Sequence, residues 1–374
     1  MAGIYIHIPF CKKACHYCDF HFSTSLKYKN ELIQNLLNEI RIRQSYLNNE
    51  PIDSIYFGGG TPSLLNQFEL ELIMTHIHET FQVNANIEIT LEANPDDINK
   101  EKLLAFTSVG INRLSIGIQS FYDEDLAYMN RSHTASQAEQ CIQLAREHGF
   151  ENFSIDLIFG FPLLTQQKWE RNIETALKYK APHLSCYAMT IEPKTALASF
   201  IKSKKELPIN HEESANQFEY LMKQLHQNNY IHYEISNYAL ENCRAIHNSN
   251  YWKGVSYLGI GPSAHSYNGI SRQWNVSNNA KYIQALQKNE LPFEIETLTS
   301  SQKLNERIMT SLRTIEGFDT SIVNSFLKGD EIEEWNRTVA KYVHEEMLIV
   351  ENHSIKLSSK GKLFADYLAG ELFV

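Results

Sequence analysis

Short apolar runs alternate with longer amphipathic stretches along the first two thirds of the chain. Strict alternation of strands and helices is typical of parallel strands joined by right-handed helical crossovers. The pattern predicts an α/β fold, an open and partial (β/α)6 version of the TIM-like barrel, with functional side chains at the carboxyl ends of the strands. The predicted strands are 3–8, 53–57, 87–92, 112–118, 152–159 and 183–189, and the predicted helices are 29–46, 67–81, 102–107, 134–148, 167–178 and 212–229.

The pattern changes in the last third of the chain. An apolar run at 232–238 leads into 242–279, a segment rich in Asn, Gly, Ser and Tyr that predicts a long functional loop. Helices at 302–314 and 334–346 with a second helix between them, then a strand-like stretch at 348–357, predict a small winged-helix-like module with a β-wing. We therefore expect a barrel domain over 1–295 and a helical C-terminal domain over 300–374, whose lack of a basic helix favours a docking or lid role over DNA binding.

Composition limits the classes of function. With 43% hydrophobic and 21% charged residues, the chain has the profile of an ordinary soluble globular protein. Its first residues lack the basic start and apolar length of a signal peptide, and no segment has the apolar length of a membrane span, so we expect a cytoplasmic protein. The net charge of -10 without a basic block argues against a nucleic-acid surface; peripheral membrane contact and a homodimer stay open.

Three cysteines carry the most specific signal. Cys11, Cys15 and Cys18 follow the first predicted strand at C-x3-C-x2-C spacing. A 4Fe-4S cluster held by three thiolates keeps one iron open for a small molecule. A zinc site would need a fourth ligand, for which His16 and Asp19 are candidates that lie very close in sequence. The triplet favours the cluster and leaves zinc open, whereas the scattered cysteines are expected to be reduced packing residues: Cys141, Cys186 and Cys243.

Motifs after the predicted strands extend this signal. YIHIPFCKKACHYC at 5–18 is followed by GGGTP at 58–62 and LEANP at 91–95. Together these motifs resemble the radical S-adenosylmethionine (SAM) family, in the branch that contains oxygen-independent coproporphyrinogen III oxidases and HemW-type heme chaperones. The resemblance covers most of 3–270. It implies a 4Fe-4S cluster on the three cysteines, and SAM that is cleaved reductively to a 5'-deoxyadenosyl radical.

The resemblance also implies which residues contact SAM. Without it, Glu92 reads equally well as a solvated acid at a strand end, and Asp156 as a core carboxylate with a backbone or Arg partner. The implied set has three parts. A glycine loop binds the amino group of SAM, residues at later strand ends line the rest of the pocket, and two tyrosines lie on the cluster side. The members of the set are Tyr5, Tyr17, Gly59, Gly60, Thr61, Glu92, Gln119, Arg131, Asp156, Ala188 and His265.

A further motif bears on the choice between the two activities of this branch. HNSNYW at 247–252 resembles the heme-binding motif of the HemW-type proteins, which implies His247 as a heme ligand. On chemistry alone, a histidine beside Tyr and Trp is more often an ordinary packed residue. The oxidases have a fourth cysteine where Phe20 stands and a longer N-terminal extension than the four residues before Tyr5.

These features together imply a heme chaperone that hands heme to acceptor hemoproteins. The alternative is an oxygen-independent coproporphyrinogen III oxidase, whose radical starts the oxidative decarboxylation of two propionate side chains. Whether the protein turns over as an enzyme stays open at this point. A zinc protein on a barrel scaffold remains a third reading if the cysteines carry no iron.

Overall fold

A computed structural model describes residues 1–374. All six predicted strands form and pair in chain order as parallel neighbours of one sheet. The prediction is least accurate for the third strand, because the observed strand begins four residues earlier, in a polar stretch. The strands are β1 (Ala2–Ile8), β2 (Ile52–Gly59), β3 (Val83–Ala93), β4 (Arg113–Gln119), β5 (Phe153–Phe159) and β6 (His183–Ala188).

Helices cross between these strands and cover the sheet. Their starts are set by side-chain caps, as at Asn66 and Thr134, whose side chains accept hydrogen bonds from Glu69 N and Gln137 N. Their apolar faces pack on the strands in one core cluster of 62 buried residues. The helices are α1 (Lys29–Ile42), α2 (Gln67–Thr80), α3 (Lys100–Ser108), α4 (Asp123–Tyr128), α5 (Ala135–Glu147), α6 (Gln166–Lys178), α7 (Ala196–Lys202) and α8 (His211–Gln227).

The apolar run at 232–238 is not one strand. It forms β7 (Ile231–Glu234) and β8 (Asn237–Ala239), an antiparallel pair joined by a turn at Ile235 and Ser236. Glu234 supports this turn, because its Oε2 accepts a hydrogen bond from Ser236 N at 3.0 Å, and β8 adds to β6 in the antiparallel sense. The pair therefore ends the parallel arrangement on this side of the sheet.

The expectation of a long irregular loop at 242–279 is wrong. The segment contains α9 (Ile246–Lys253), β9 (Tyr257–Ile260), β10 (His265–Tyr267) and β11 (Ser271–Asn275), followed by α10 (Asn279–Leu286) and β12 (Phe293–Thr297). β9 lies parallel beside β1 as a seventh parallel strand, while the following strands pair as antiparallel neighbours. Strands of three to five residues show too few alternating positions for a pattern to reveal them.

The sheet is open. Its strand order is β12-β11-β10-β9-β1-β2-β3-β4-β5-β6-β8-β7, so the two end strands, β12 and β7, do not pair. This is the partial TIM-like barrel that the sequence predicts. None of the helices combines the length and the apolar character that crossing a bilayer requires.

The C-terminal residues have a core of their own. A cluster of 15 buried residues between Leu304 and Leu372 is separate from that of the barrel. The domain bounds of 1–295 and 300–374 stay predictions, although a three-stranded antiparallel sheet does lie beside the helices as a wing. The elements are α11 (Ser300–Leu312), β13 (Phe318–Asp319), α12 (Val323–Phe326), α13 (Asp330–His344), β14 (Leu348–Glu351), β15 (Ser354–Leu357) and α14 (Ala365–Glu371).

Candidate functional site

Two neighbouring cavities open at the carboxyl ends of the barrel strands. The first, here called the cysteine cavity, has a volume of about 540 Å³ and is lined by the cysteine triplet. The second, the tyrosine cavity, has a volume of about 720 Å³ and lies between the barrel strands, the β10–β11 ribbon and α11. They share a wall made of Asp19, Phe20, Tyr56, Glu92, Tyr187 and Asn248.

The cysteine cavity gathers most of the predicted site residues. Its lining includes all three cysteines and nine of the predicted SAM residues: Tyr17, Gly59, Gly60, Thr61, Glu92, Gln119, Arg131, Asp156 and Ala188. They come from β2 through β6 and the turn after β2, from the loop that follows β1, and from the connection between α4 and α5. Two predicted SAM residues, Tyr5 and His265, lie in the tyrosine cavity instead.

The loop that carries the three cysteines is anchored by hydrogen bonds to residues just after α4 and at its end. His16 Nδ1 contacts the carbonyl oxygen of Tyr128 at 2.8 Å, and Asn130 Nδ2 donates to the carbonyl oxygen of Ala14 at 2.7 Å. No three Cys, His, Asp or Glu side chains converge on a point where one metal ion would sit. A cubane cluster does not require such convergence, because each thiolate binds a different iron atom.

Arg131 places a positive charge beside this loop. Its guanidinium donates to Cys15 Sγ at 3.4 Å, to Asn94 Oδ1 at 2.6 Å and to the carbonyl oxygen of Gly117 at 2.9 Å. Burial raises the pKa of the Cys18 thiol to about 12. Positive charge favours the thiolate form of a cysteine; Arg131 supplies it beside Cys15, and a bound cluster would supply it to all three thiols.

The glycine loop brings backbone very close to the end of β1. A Cβ added at Gly60 would lie 2.8 Å from the carbonyl oxygen of Ile8 and 2.8 Å from the backbone of Phe10. Gly59 has a φ of 105°, a conformation that side chains with a Cβ rarely adopt. Both positions therefore require glycine, and both residues line the cavity.

Two carboxylates lie deep in the barrel mouth. Tyr56 donates its hydroxyl to Glu92 Oε1 at 2.8 Å, and burial raises the pKa of Glu92 to about 7. Asp156 accepts from the hydroxyls of Ser115 and Ser154, each at 3.1 Å, and burial raises its pKa as well. The partners of Asp156 are thus serines, not the backbone or arginine of the structural alternative.

Polar atoms without partners point to a ligand in the cysteine cavity. Gln119 has a φ of 65° at the end of β4, and its buried Oε1 has no hydrogen-bond partner. Arg131 Nε is also buried and unpartnered. Burying such atoms without a hydrogen bond costs about 1–3 kcal/mol each. Together with the glycine loop they fit a polar molecule that supplies both donors and acceptors, as SAM does.

His247 lies in the tyrosine cavity and is almost fully buried. Its Nδ1 contacts Ser54 Oγ at 2.9 Å, whereas its Nε2 is buried without a hydrogen-bond partner. The ring stacks on Tyr56 at 5.1 Å and meets Tyr251 edge-on at 5.4 Å. Burial lowers the pKa of His247 to about 3, which keeps the ring neutral and able to act as a ligand.

Comparison with known proteins places the chain. The radical SAM superfamily model matches residues 5–176. The heme chaperone HemW of Bacillus subtilis is 34% identical over 99% of this chain and 98% of its own length, and that of Lactococcus lactis is 31% identical over 96% and 93%. The chain belongs to the HemW family of heme chaperones within the radical SAM superfamily.

The solved structure of the coproporphyrinogen III oxidase HemN from Escherichia coli, a radical SAM enzyme, has the same fold. It superposes with a TM-score of 0.87 over 100% of this chain and 90% of its own, at 24% sequence identity. Members of the radical SAM superfamily carry a 4Fe-4S cluster and SAM. In this HemW-family chain the free thiols of the triplet and the unpartnered atoms of the cysteine cavity fit those two groups.

Sequence reasoning missed two residues of this HemW-family site. Asn94 joins Arg131 to Thr61, since its Oδ1 accepts from the guanidinium and its Nδ2 donates to Thr61 Oγ1 at 3.2 Å. Tyr56 joins Glu92 to His247 across the shared wall. A signal existed for each, because Asn94 follows Glu92 in the LEANP motif and Tyr56 is a polar-tipped residue in an apolar strand.

Proposed function

We propose that this protein binds heme in the tyrosine cavity and hands it to acceptor hemoproteins, while the neighbouring cysteine cavity holds the 4Fe-4S cluster and SAM. The observation that carries the proposal is the tyrosine cavity itself, a space of about 720 Å³ beside the cluster site. Aromatic rings line it, and aromatic faces suit a planar macrocycle. The relatives from Bacillus subtilis and Lactococcus lactis, which match nearly the whole chain, are named heme chaperones.

His247 supports the heme part of the proposal. A buried imidazole nitrogen without a partner is costly unless a ligand uses it, and Nε2 of His247 is in that state. Ser54 holds the other ring nitrogen, which fixes the orientation of the ring. Because Nε2 is buried, heme binding through this atom requires neighbouring side chains to move aside.

In the cysteine cavity, the three cysteines would hold the cluster and the nine predicted residues that line it would hold SAM. When bound, the two groups supply one-electron chemistry. The chain contributes positioning and charge: Arg131 lies against Cys15, and Gly59 and Gly60 bring the backbone to the cavity where side chains cannot fit. Glu92 and Asp156 provide acceptors at the strand ends.

An anaerobic hemin titration of the reconstituted protein tests the function. We expect a saturable shift of the heme absorbance and loss of heme to an added apo-hemoprotein. His247→Ala should weaken hemin binding about tenfold or more, which corresponds to about 1.4 kcal/mol or more. Full-affinity binding in this variant would remove His247 from the site, and no saturable binding by the wild type would remove the proposal.

The same preparation separates the oxidase alternative. Phe20 stands at the position of the oxidase branch's fourth cysteine and lines both cavities. With SAM, a low-potential reductant and coproporphyrinogen III, we expect no protoporphyrinogen. Formation of protoporphyrinogen together with 5'-deoxyadenosine would establish the oxidase instead.

A further inference from the structure

We propose that His265 ligates the heme iron in the tyrosine cavity, and that Lys303 and Arg307 of α11 take the heme propionates. The inference rests on the proposed heme function and adds the residues that would orient the macrocycle. It moves His265 from the SAM site expected from the sequence to the second cavity. It also makes α11, from the C-terminal module, a part of the binding site.

His265 differs from the other imidazoles of the tyrosine cavity. His7 uses both ring nitrogens, since Nδ1 contacts the hydroxyl of Tyr5 at 3.1 Å and Nε2 the carbonyl oxygen of His21 at 2.9 Å. His21 Nε2 contacts Asn279 Oδ1 at 2.7 Å.

By contrast, His265 is exposed to the cavity, and neither of its ring nitrogens has a hydrogen-bond partner. Partial burial and the nearby Arg272 lower its pKa, so the ring is neutral at pH 7 and has a free lone pair. Among these histidines, it is the one whose two ring nitrogens both lack a partner, so it can bind a metal centre without giving up a hydrogen bond.

The β10–β11 ribbon presents His265 on a firm support. In its antiparallel register His265 pairs with Trp274 and Tyr267 with Arg272, so these four side chains share one face. The opposite face is buried and anchored to α1, because the Arg43 guanidinium donates to Gln273 Oε1 at 2.8 Å and to Asn275 Oδ1 at 3.1 Å. A ligand on such a ribbon is held by the barrel core.

Positive charge surrounds the same end of the cavity. Lys303, Glu306 and Arg307 line it from one face of α11, at i, i+3 and i+4. Glu306 is occupied by an ion pair with Arg272 at 2.8 Å. Lys303 has no ion pair and no side-chain hydrogen bond, and Arg307 donates one hydrogen bond, to the carbonyl oxygen of Lys253 at 2.6 Å.

The net charge at this end of the cavity is therefore positive. Neither Lys303 nor Arg307 forms an ion pair within the protein. A planar ligand that carries two carboxylates beside a metal centre satisfies both groups at once. Heme has this combination, with its iron at the centre of the ring and its propionates on one edge. An aromatic ligand without carboxylates would leave the cations unused.

Electron paramagnetic resonance of hemin bound to the anaerobic holoprotein tests the iron ligand, because an oxidised 4Fe-4S cluster contributes no signal. His265→Ala should change the ferric heme spectrum towards a high-spin species and weaken hemin binding about tenfold. Added imidazole should restore the wild-type spin state. His226→Ala, which removes an exposed histidine on α8, is the matched control and should leave spectrum and affinity unchanged.

A second pair of titrations tests the propionate contacts. Lys303→Gln should weaken hemin binding about threefold to tenfold and leave binding of hemin dimethyl ester unchanged, because the ester has no charged propionates. Equal weakening of both ligands, or of neither, would overturn the assignment of Lys303. An unaltered spectrum and affinity in His265→Ala would overturn the iron ligand while leaving the heme function standing.

Failure of the proposed function has a different signature. It would appear as absence of saturable hemin binding by the wild type, before any variant is compared. If His265→Ala changes the spectrum and His247→Ala does not, the ligand assignment to His265 stands and that to His247 falls.

Discussion

The cysteine cavity and the tyrosine cavity lie side by side yet are built in different ways. The cysteine cavity is assembled from the ends of consecutive parallel strands, so its residues follow the order of the chain. The tyrosine cavity takes side chains from β1, α9, the β10–β11 ribbon and α11, which are far apart in sequence. Neighbouring sites in one molecule can thus differ greatly in how much of them a local motif specifies.

The largest expected effect concerns the cysteine cavity alone. Cys15→Ala removes one of three thiolates and should reduce the iron of the anaerobically purified protein to background, because two cysteines do not hold a cubane cluster. Hemin affinity should change by less than about threefold if the cavities are independent sites.

Iron analysis and hemin titration of one preparation measure both effects. Cys243→Ala, which removes a thiol outside both cavities, serves as the control and should keep its iron. Wild-type iron content in Cys15→Ala would contradict the assignment of the triplet as cluster ligands.

A smaller effect is expected where the glycine loop meets β1. Gly60→Ala places a Cβ 2.8 Å from the backbone of Ile8 and Phe10, where no flexible side chain can yield. We expect a loss of about 2–3 kcal/mol in the free energy of unfolding, measured with urea on the cluster-free protein.

Gly370→Ala is the matched control because a Cβ at that helical position meets no atom within 4 Å. That variant should be neutral or up to about 1 kcal/mol more stable than the wild type. Equal stability of Gly60→Ala and the wild type would show that the two strand ends separate easily.

The smallest expected effect is a difference in how the two cavities respond to pH. The raised pKa of Glu92, about 7, means that its folded carboxyl keeps a proton that the unfolded chain releases. Its contribution to stability therefore falls as pH rises from about 4.5 to 7. The lowered pKa of His247, about 3, has the opposite sign, so its contribution falls as pH drops below 6.5.

Urea unfolding of the cluster-free protein at pH 5, 6 and 7 separates these two terms. Glu92→Gln should make stability rise more steeply with pH than in the wild type, and His247→Asn should make it rise less steeply. Each change should amount to about 1–2 kcal/mol over this range. Parallel curves for all three proteins would show that neither group titrates differently in the folded state.

The same contrast explains what the sequence could predict. Gly60 directly follows β2, and Glu92 and Gln119 lie at the carboxyl ends of β3 and β4; parallel strands place such positions at one edge. Once the strand pattern is identified, the composition of the cysteine cavity follows from the order of the strands. Arg131 lies between α4 and α5, away from any strand end, and the family resemblance was needed to single it out.

The tyrosine cavity could not be predicted in this way. His265 belongs to a strand of three residues, whose position depends on pairing with neighbours that are themselves short. Tyr5 lies on β1 just before the cysteines, but its strand partners are Tyr56 on one side and Gly259 on the other. Its side chain therefore faces the tyrosine cavity, and the local sequence pattern does not predict this orientation.

The shared wall gives the two cavities a thermodynamic relationship. Tyr56 touches both sides of it, since its hydroxyl donates to Glu92 and its ring stacks on His247. If a ligand in one cavity changes the position of Tyr56, it also changes the binding free energy of a ligand in the other cavity. Because such linkage is reciprocal, the factor by which SAM changes the affinity for heme equals the factor by which heme changes the affinity for SAM.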